Sequence, residues 1–169
     1  MHFDAFESGN YPHLATAGVT IDFNLPSILP LRQQEFKLLT RFDNRVVVLR
    51  LFPGISEAIV SSTLNAPGLK GVILETFGSG NAPTSSWLIG LLKEAIRNNI
   101  IVLNISQCTW GMVIQGKYET SRELKEIGVI GGADMTTEAA VTKLMLVLGE
   151  QDYADSVKLI TTSLAGELS

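Results

Sequence analysis

Gly71-Val72-Ile73-Leu74-Glu75-Thr76, then Phe77-Gly78-Ser79-Gly80-Asn81-Ala82-Pro83, a helical stretch from about Ser85 to Asn98, and Ile100-Ile101-Val102-Leu103-Asn104-Ile105 together decide the fold of this 169-residue chain. The first and last of these are short apolar runs rich in β-branched residues, uninterrupted enough to read as strands covered on both faces. Between them Trp87/Leu88, Leu91/Leu92 and Ala95/Ile96 recur every four residues. Lys93, Glu94, Arg97 and Asn98 fall opposite, so the segment reads as an amphipathic helix with one face on a sheet. Strand, loop, helix and strand in that order is the unit from which parallel sheets are built, because parallel neighbours need a crossover.

The same alternation continues outward. Toward the N-terminus, Arg45 to Leu51 carries Val46-Val47-Val48-Leu49 and reads as a strand broken by Pro53-Gly54. Ser56 is placed to cap a helix through about Thr63, with Ile59, Val60 and Thr63 on one side, closed by Asn65-Ala66-Pro67-Gly68. Toward the C-terminus, Thr120 to Glu123 has capping-box spacing, predicting a short helix ended by Gly128 before a brief strand at Val129-Ile130. Asp134 or Thr136 then caps an apolar helix through Leu148, stopped by Gly149, and a last helix runs from Asp152 to about Ser163. The expected fold class is α/β: a parallel β-sheet of about four strands flanked by helices, Rossmann-like and three-layered.

Residues 1–44 have a different texture. Ser8-Gly9-Asn10-Tyr11-Pro12, a helical candidate at His13 to Ala17 ended by Gly18, an extended piece from Val19 to Phe23, and Pro26 and Pro30 offer no continuous apolar face. They read as the tail of a preceding unit and a linker, with Phe36, Leu38, Leu39 and Phe42 docking onto the domain at residues 45–169.

Composition narrows the function. Apolar residues make up 46% and charged residues 18%, a balance that folds rather than stays disordered. Thirteen basic against seventeen acidic residues give a net charge of -4 with no Lys/Arg run, which is not the footprint of a nucleic-acid binder. The single cysteine, Cys108, excludes an internal disulfide, and with no metal-ligand spacing in the chain a cytoplasmic protein without a metal is expected. Met1 to Glu7 lacks the pattern of a leader, and no apolar run reaches the roughly 18 residues of a spanning helix, so no membrane association is expected.

Ligands of open α/β sheets sit beyond the carboxyl ends of the strands, where two loops carry candidate residues. In Phe77 to Pro83 the glycines permit close backbone approach, and the helix that follows presents free N–H groups suited to a small carboxylate. Ser79, Gly80 and Asn81 are its candidates, although the same residues also make an ordinary tight turn. The second loop, Asn104-Ile105-Ser106-Gln107-Cys108-Thr109, collects polar side chains past a buried strand. His2 and His13 both lie in the tail, so Cys108 lacks a nearby base and reads as a contact residue. Trp87 reads as core, Trp110 as the lining of a pocket or interface, and Glu138 with Lys143 as a helix-surface arrangement. Glu75, at the end of an apolar strand, has to face solvent, a partner or a ligand. Neither loop supplies a nucleophile, a base and an oxyanion site together, so no catalytic residue is expected in this chain.

At these loops the sequence resembles the type I, cytoplasmic L-asparaginases. Gly71 to Pro83 is similar to their Gly-x-Gly-Asn-Ala-Pro loop, Asn104 to Cys108 to their second signature, and Gly116-Lys117-Tyr118-Glu119-Thr120 to their Gly-x-Tyr-x-Thr/Ala segment. Gly128 to Ala140 with Thr142-Lys143-Leu144 resembles their closing motif, and Asn10-Tyr11-Pro12, Leu14-Ala15 and Ala17-Gly18 resemble the end of their N-terminal domain. The resemblance implies hydrolysis of L-asparagine to L-aspartate and ammonia without a cofactor. It also implies a nucleophilic threonine in a Thr-Gly-Gly-Thr-Ile motif that these 169 residues do not contain.

What the resemblance assigns to this chain is the C-terminal domain. Its partners would be the missing N-terminal catalytic domain, L-asparagine or L-aspartate, and further copies in a dimer or tetramer. Ser79, Gly80 and Asn81 would close an active site, and the equivalents of Asn81, Ser106 and Cys108 form an allosteric asparagine pocket in some members. An allosteric member carries arginine where Glu75 stands, and a carboxylate there would repel the ligand's own carboxylate. A related amidotransferase subunit acting on glutaminyl-tRNA shares parts of the pattern but carries an extra domain, which is not read here. The residues also fit a stand-alone small amino-acid-binding module or a self-association module using helix faces and Trp110.

Overall fold

Four parallel strands in the order β3-β4-β5-β6 form the central sheet: β3 (Val46–Arg50), β4 (Gly71–Thr76), β5 (Ile101–Ser106) and β6 (Ile130–Gly131). The structure, a computed structural model, describes residues 9–30, 38–116 and 119–168, without the side chains of residues 119 and 120. Every residue of β4 is buried, as the uninterrupted apolar run requires. Side chains alternate across the sheet. On one face Leu49, Leu51, Val72, Leu74 and Val102 pack under α1 (Glu57–Leu64), α2 (Ser86–Arg97) and Leu124 of α3 (Glu119–Glu126). On the other, Ile73, Ile101, Leu103 and Ile105 pack under α4 (Thr137–Glu150) and α5 (Tyr153–Ile160). The chain is thus a three-layer α/β domain with a parallel sheet in the middle.

Local sequence sets the helix starts. Ser56, Thr136 and Asp152 each accept a hydrogen bond from the backbone N–H three residues on, satisfying a donor left over in the first helical turn. Thr136 is therefore the cap of α4, and Asp134 serves elsewhere. The capping box at Thr120 lies outside the described side chains, and α3 already includes that residue.

Several expectations are corrected. His13 to Ala17 is not helical: β1 (Ala15–Ala17) pairs antiparallel with β2 (Ile21–Phe23), because five residues cannot sustain a helix alone whereas a partner strand satisfies their backbone groups. In α1 the buried side chains are Val60 and Leu64, while Ile59 points outward and is 54% exposed. Gly149 does not end α4, which runs one residue further; it lets the chain cross the helix, since a Cβ there would lie 2.2 Å from the Arg41 carbonyl oxygen. The brief strand begins at Ile130, one residue later than its apolar pair suggests. Phe36 lies outside the described residues, and Leu38 and Phe42 are 70% and 55% exposed. The segment is attached instead by polar groups: Asp43 N–H donates to the Met145 carbonyl and Arg41 pairs with Glu150 at 3.0 Å.

Lys143 is the largest departure. It is buried on α4, donating to the Thr162 carbonyl at 2.6 Å and to Glu167 Oε1 at 2.5 Å, and does not belong to a surface arrangement with Glu138.

Candidate functional site

The carboxyl ends of β4 and β5 are neighbours in register, Thr76 beside Ser106, so the loops that follow them lie side by side. The glycine loop closes on itself first: Phe77 and Asn81 exchange backbone hydrogen bonds at 2.9 Å in both directions. Gly78 and Gly80 have φ of +52° and +101°, and this reverses the chain within four residues.

The second loop and the segment behind it hold that turn. Ser106 Oγ donates to the Gly78 carbonyl at 2.6 Å, the Ile114 N–H to the Ser79 carbonyl at 3.1 Å, and Asn104 Nδ2 to the Gly80 carbonyl at 3.3 Å. Asn104 is fully buried, and its Oδ1 accepts from Thr76 Oγ1 at 2.6 Å, so both ends of the amide are engaged. Gln107 Nε2 donates to the carbonyls of Leu51 and Glu75 at 2.6 and 2.8 Å, tying together the tops of three strands.

A polar cavity of about 350 Å³ opens beside this arrangement. It is lined by Gly9 and Asn10 from the tail, Ser106 to Trp110 from the second loop, and Met135 to Glu138 at the start of α4. Trp110 packs against Gly9, where a Cβ would come within 2.7 Å of the indole, and Asn10 Nδ2 donates to the Asp134 carbonyl at 2.6 Å. The tail therefore forms one wall. Ser106 and Cys108 line the cavity; Ser79, Gly80 and Asn81 do not, and it is the Ser79 carbonyl and Gly80 that meet the segment at Val113 and Ile114. Asn81 Nδ2 reaches Ser79 Oγ at 3.5 Å.

Glu75 faces a partner within the chain. Its Oε1 accepts from Thr137 Oγ1 at 2.6 Å and its Oε2 lies 3.7 Å from Arg50 Nη1, which offsets the burial of a side chain only 7% exposed. Its place beside the first turn of α4 adds the favourable end of a helix dipole. Among the described residues no cluster of three or more His, Cys, Asp or Glu side chains could hold a metal ion, and no helix is long and apolar enough to cross a membrane. Sequence reasoning passed over Thr76, Thr137 and the anchoring roles of Asn104 and Gln107. Their partners are remote in sequence, and no local pattern marks them.

A parallel sheet between helices, with paired loops and a polar cavity at its carboxyl edge, defines an open α/β domain, the class in which ligands sit beyond the carboxyl ends of the strands. Within that class the chain belongs to the glutaminase/asparaginase C-terminal domain family, whose match covers residues 45–160. It is 39% identical to L-asparaginase 1 of Escherichia coli K12 over 99% of this chain and 49% of that protein. It is 36% identical to the 60 kDa lysophospholipase of Mus musculus over 99% of this chain and 30% of that protein. Its fold superposes on the crystal structure of L-asparaginase I from Vibrio cholerae O1 with a TM-score of 0.90 at 36% identity, covering 100% of this chain and 52% of that one. The chain thus spans about half the length of the asparaginases it resembles, and a smaller share of the lysophospholipase.

Proposed function

We propose that these residues are the C-terminal domain of an L-asparaginase, an amidohydrolase converting L-asparagine to L-aspartate and ammonia in the cytoplasm, with the nucleophilic threonine supplied by polypeptide outside them. The observation that carries the reading is the glycine loop held at the carboxyl edge of the sheet, offering Ser79, Gly80 and Asn81 as a prepared surface. Preorganised polar groups of this kind act on a reaction whose attacking group lies elsewhere.

Support for a catalytic domain as partner comes from residues 1–44. The β1–β2 hairpin leaves Val19, Ile21, Phe23 and Leu25 at 61% exposure or more, a concentration of apolar surface that suits burial against another unit. Residues 1–44 are then the end of that domain and a linker, and residues 45–169 the C-terminal domain. A dimer or tetramer completes the site. The 169-residue polypeptide is expected to release no ammonia from L-asparagine, and the same residues joined to a domain bearing Thr-Gly-Gly-Thr-Ile to release it. Ammonia production by the 169 residues themselves, abolished in Asn81→Ala, would overturn this assignment.

The cavity favours a second role. Ser106 and Cys108, with Asn81 on the neighbouring loop, are candidates for a separate small-ligand site, and the tail wall would couple its occupancy to the preceding domain. Among the described residues no arginine or lysine lines the cavity, and Glu138 does, so L-asparagine and L-aspartate are expected to bind with Kd in the millimolar range or weaker. Titration calorimetry decides the point, and micromolar binding of either amino acid would contradict the expectation.

A further inference from the structure

Three consecutive carbonyls of the glycine loop, those of Gly78, Ser79 and Gly80, are each taken by a donor from outside the loop. Two of the three donors are side chains of β5, Asn104 and Ser106, which leave the strand on the side of the loop at its last two such positions. The third, the Ile114 N–H, belongs to the segment whose Val113 fills the space that a side chain at residue 80 would need. With its carbonyls fixed, the loop has no freedom to rotate its peptide planes, and the direction in which Asn81 leaves the backbone is set from β5.

The two side chains are suited to this task in different ways. Asn104 is fully buried, and its amide is oriented by Thr76 Oγ1, which donates to Oδ1 and so leaves Nδ2 as the end that meets Gly80. Ser106 is half-buried, and its Oγ accepts from the Cys108 N–H at 3.1 Å, so the hydroxyl proton is directed at the Gly78 carbonyl. Gly111 closes over this serine, where a Cβ would lie 2.1 Å from Oγ, and restricts the hydroxyl to that arrangement. The hydroxyl proton is thereby committed to the loop, and only a remaining lone pair of Oγ is open to the cavity it borders.

We infer that Asn104 and Ser106 are positioning residues that pin the glycine loop and act on the reaction through Asn81, so that the loop is a fixed platform and not a lid that closes on substrate. The inference rests on the asparaginase reading for its catalytic part and on the hydrogen bonds alone for its structural part.

Both parts are tested together. In the enzyme that joins these residues to their catalytic domain, Ser106→Ala is expected to lower kcat/KM for L-asparagine at least tenfold, and Ser106→Thr, which keeps the hydroxyl, to stay within about threefold of wild type. In an Asn81→Ala background the Ser106→Ala change is expected to add less than twofold, because two residues acting through one another are not additive. Independent, multiplying effects would overturn the inference. In the 169-residue chain, hydrogen exchange at the Gly80 and Asn81 amides, which bond to Phe77, is expected to accelerate at least tenfold in Ser106→Ala and not in Ser106→Thr. Unchanged protection would overturn the pin. Absence of turnover in the wild-type joined enzyme would overturn the asparaginase reading instead, and the exchange rates would then decide the pin alone.

Discussion

Replacing Glu167 with alanine is expected to remove about 3–5 kcal/mol of folding stability, the usual cost of leaving a buried charge without its partner. The Lys143 side chain is 3% exposed, and its ammonium donates to Glu167 Oε1 at 2.5 Å and to the Thr162 carbonyl at 2.6 Å. The same carboxylate accepts the Leu164 and Ala165 N–H groups at 2.7 to 3.1 Å, so it folds the last turn of the chain back onto α4 as well as neutralising the lysine. Its loss leaves an ammonium with a single carbonyl. For a chain of this size each kcal/mol moves Tm by about 2–4 °C, so a fall on the order of 10 °C is expected by calorimetry. A change under 2 °C would mean that Lys143 reaches water once its partner is gone.

The same pair predicts a pH dependence. Burial by itself pushes the Glu167 carboxyl up, but hydrogen bonds from Lys143 and from the Leu164 and Ala165 amides outweigh it and hold the group at about 2, below its ordinary 4.5. A carboxyl with a lowered folded-state pKa contributes stability that is complete above the unfolded value and lost as pH falls through the folded one. The Tm difference between wild type and Glu167→Ala is therefore constant above about pH 5 and shrinks between 4.5 and 2. Curves that stay parallel across that window would exclude the mechanism.

Gly80→Ala is expected to cost about 2–4 kcal/mol, the sum of a strained backbone and an overpacked contact. At φ +101° an L side chain is strained, and its Cβ would sit 2.7 Å from Val113 Cγ1 and 3.2 Å from Asn104 Nδ2. Relief requires the loop to move, which breaks the Asn104 bond to the Gly80 carbonyl. Gly78 is the internal control. It also has positive φ, but among the described residues no atom beyond its chain neighbours lies within 4 Å of a Cβ built there, so Gly78→Ala should cost only the left-handed backbone term of about 1–2 kcal/mol. Equal losses in urea denaturation would show that Val113 yields without cost.

The βα order was legible because each element announces itself within its own residues. The Val46-Val47-Val48-Leu49 and Val72-Ile73-Leu74 runs, the four-residue period of α2 and the caps at Ser56 and Asp152 are local patterns, and the structure reproduces each within a residue or two. Where an expectation failed, the deciding contact came from elsewhere in the chain. Ala15 to Ala17 is extended because Ile21 to Phe23 pairs with it, and Gly149 stays helical because the Arg41 carbonyl needs the space. The candidate loops were found from glycines and polar clusters at strand ends. That Ser106 and Cys108 border a cavity while Gly80 packs against Val113 was not readable from either loop alone.

Sequence by itself therefore determined the class of fold, the two loops at the carboxyl edge and the family likeness carried by their residues, since hydrophobic periodicity and turn chemistry act over a few neighbouring positions. Only the tertiary structure decided that Glu75 meets Thr137 across 62 residues, that Lys143 is buried against Glu167 across 24, and that Ser106 reaches Gly78 across 28. Those pairings depend on which strands lie side by side and which helix covers them. A side chain's own neighbourhood in sequence carries no trace of a partner that packing brings to it.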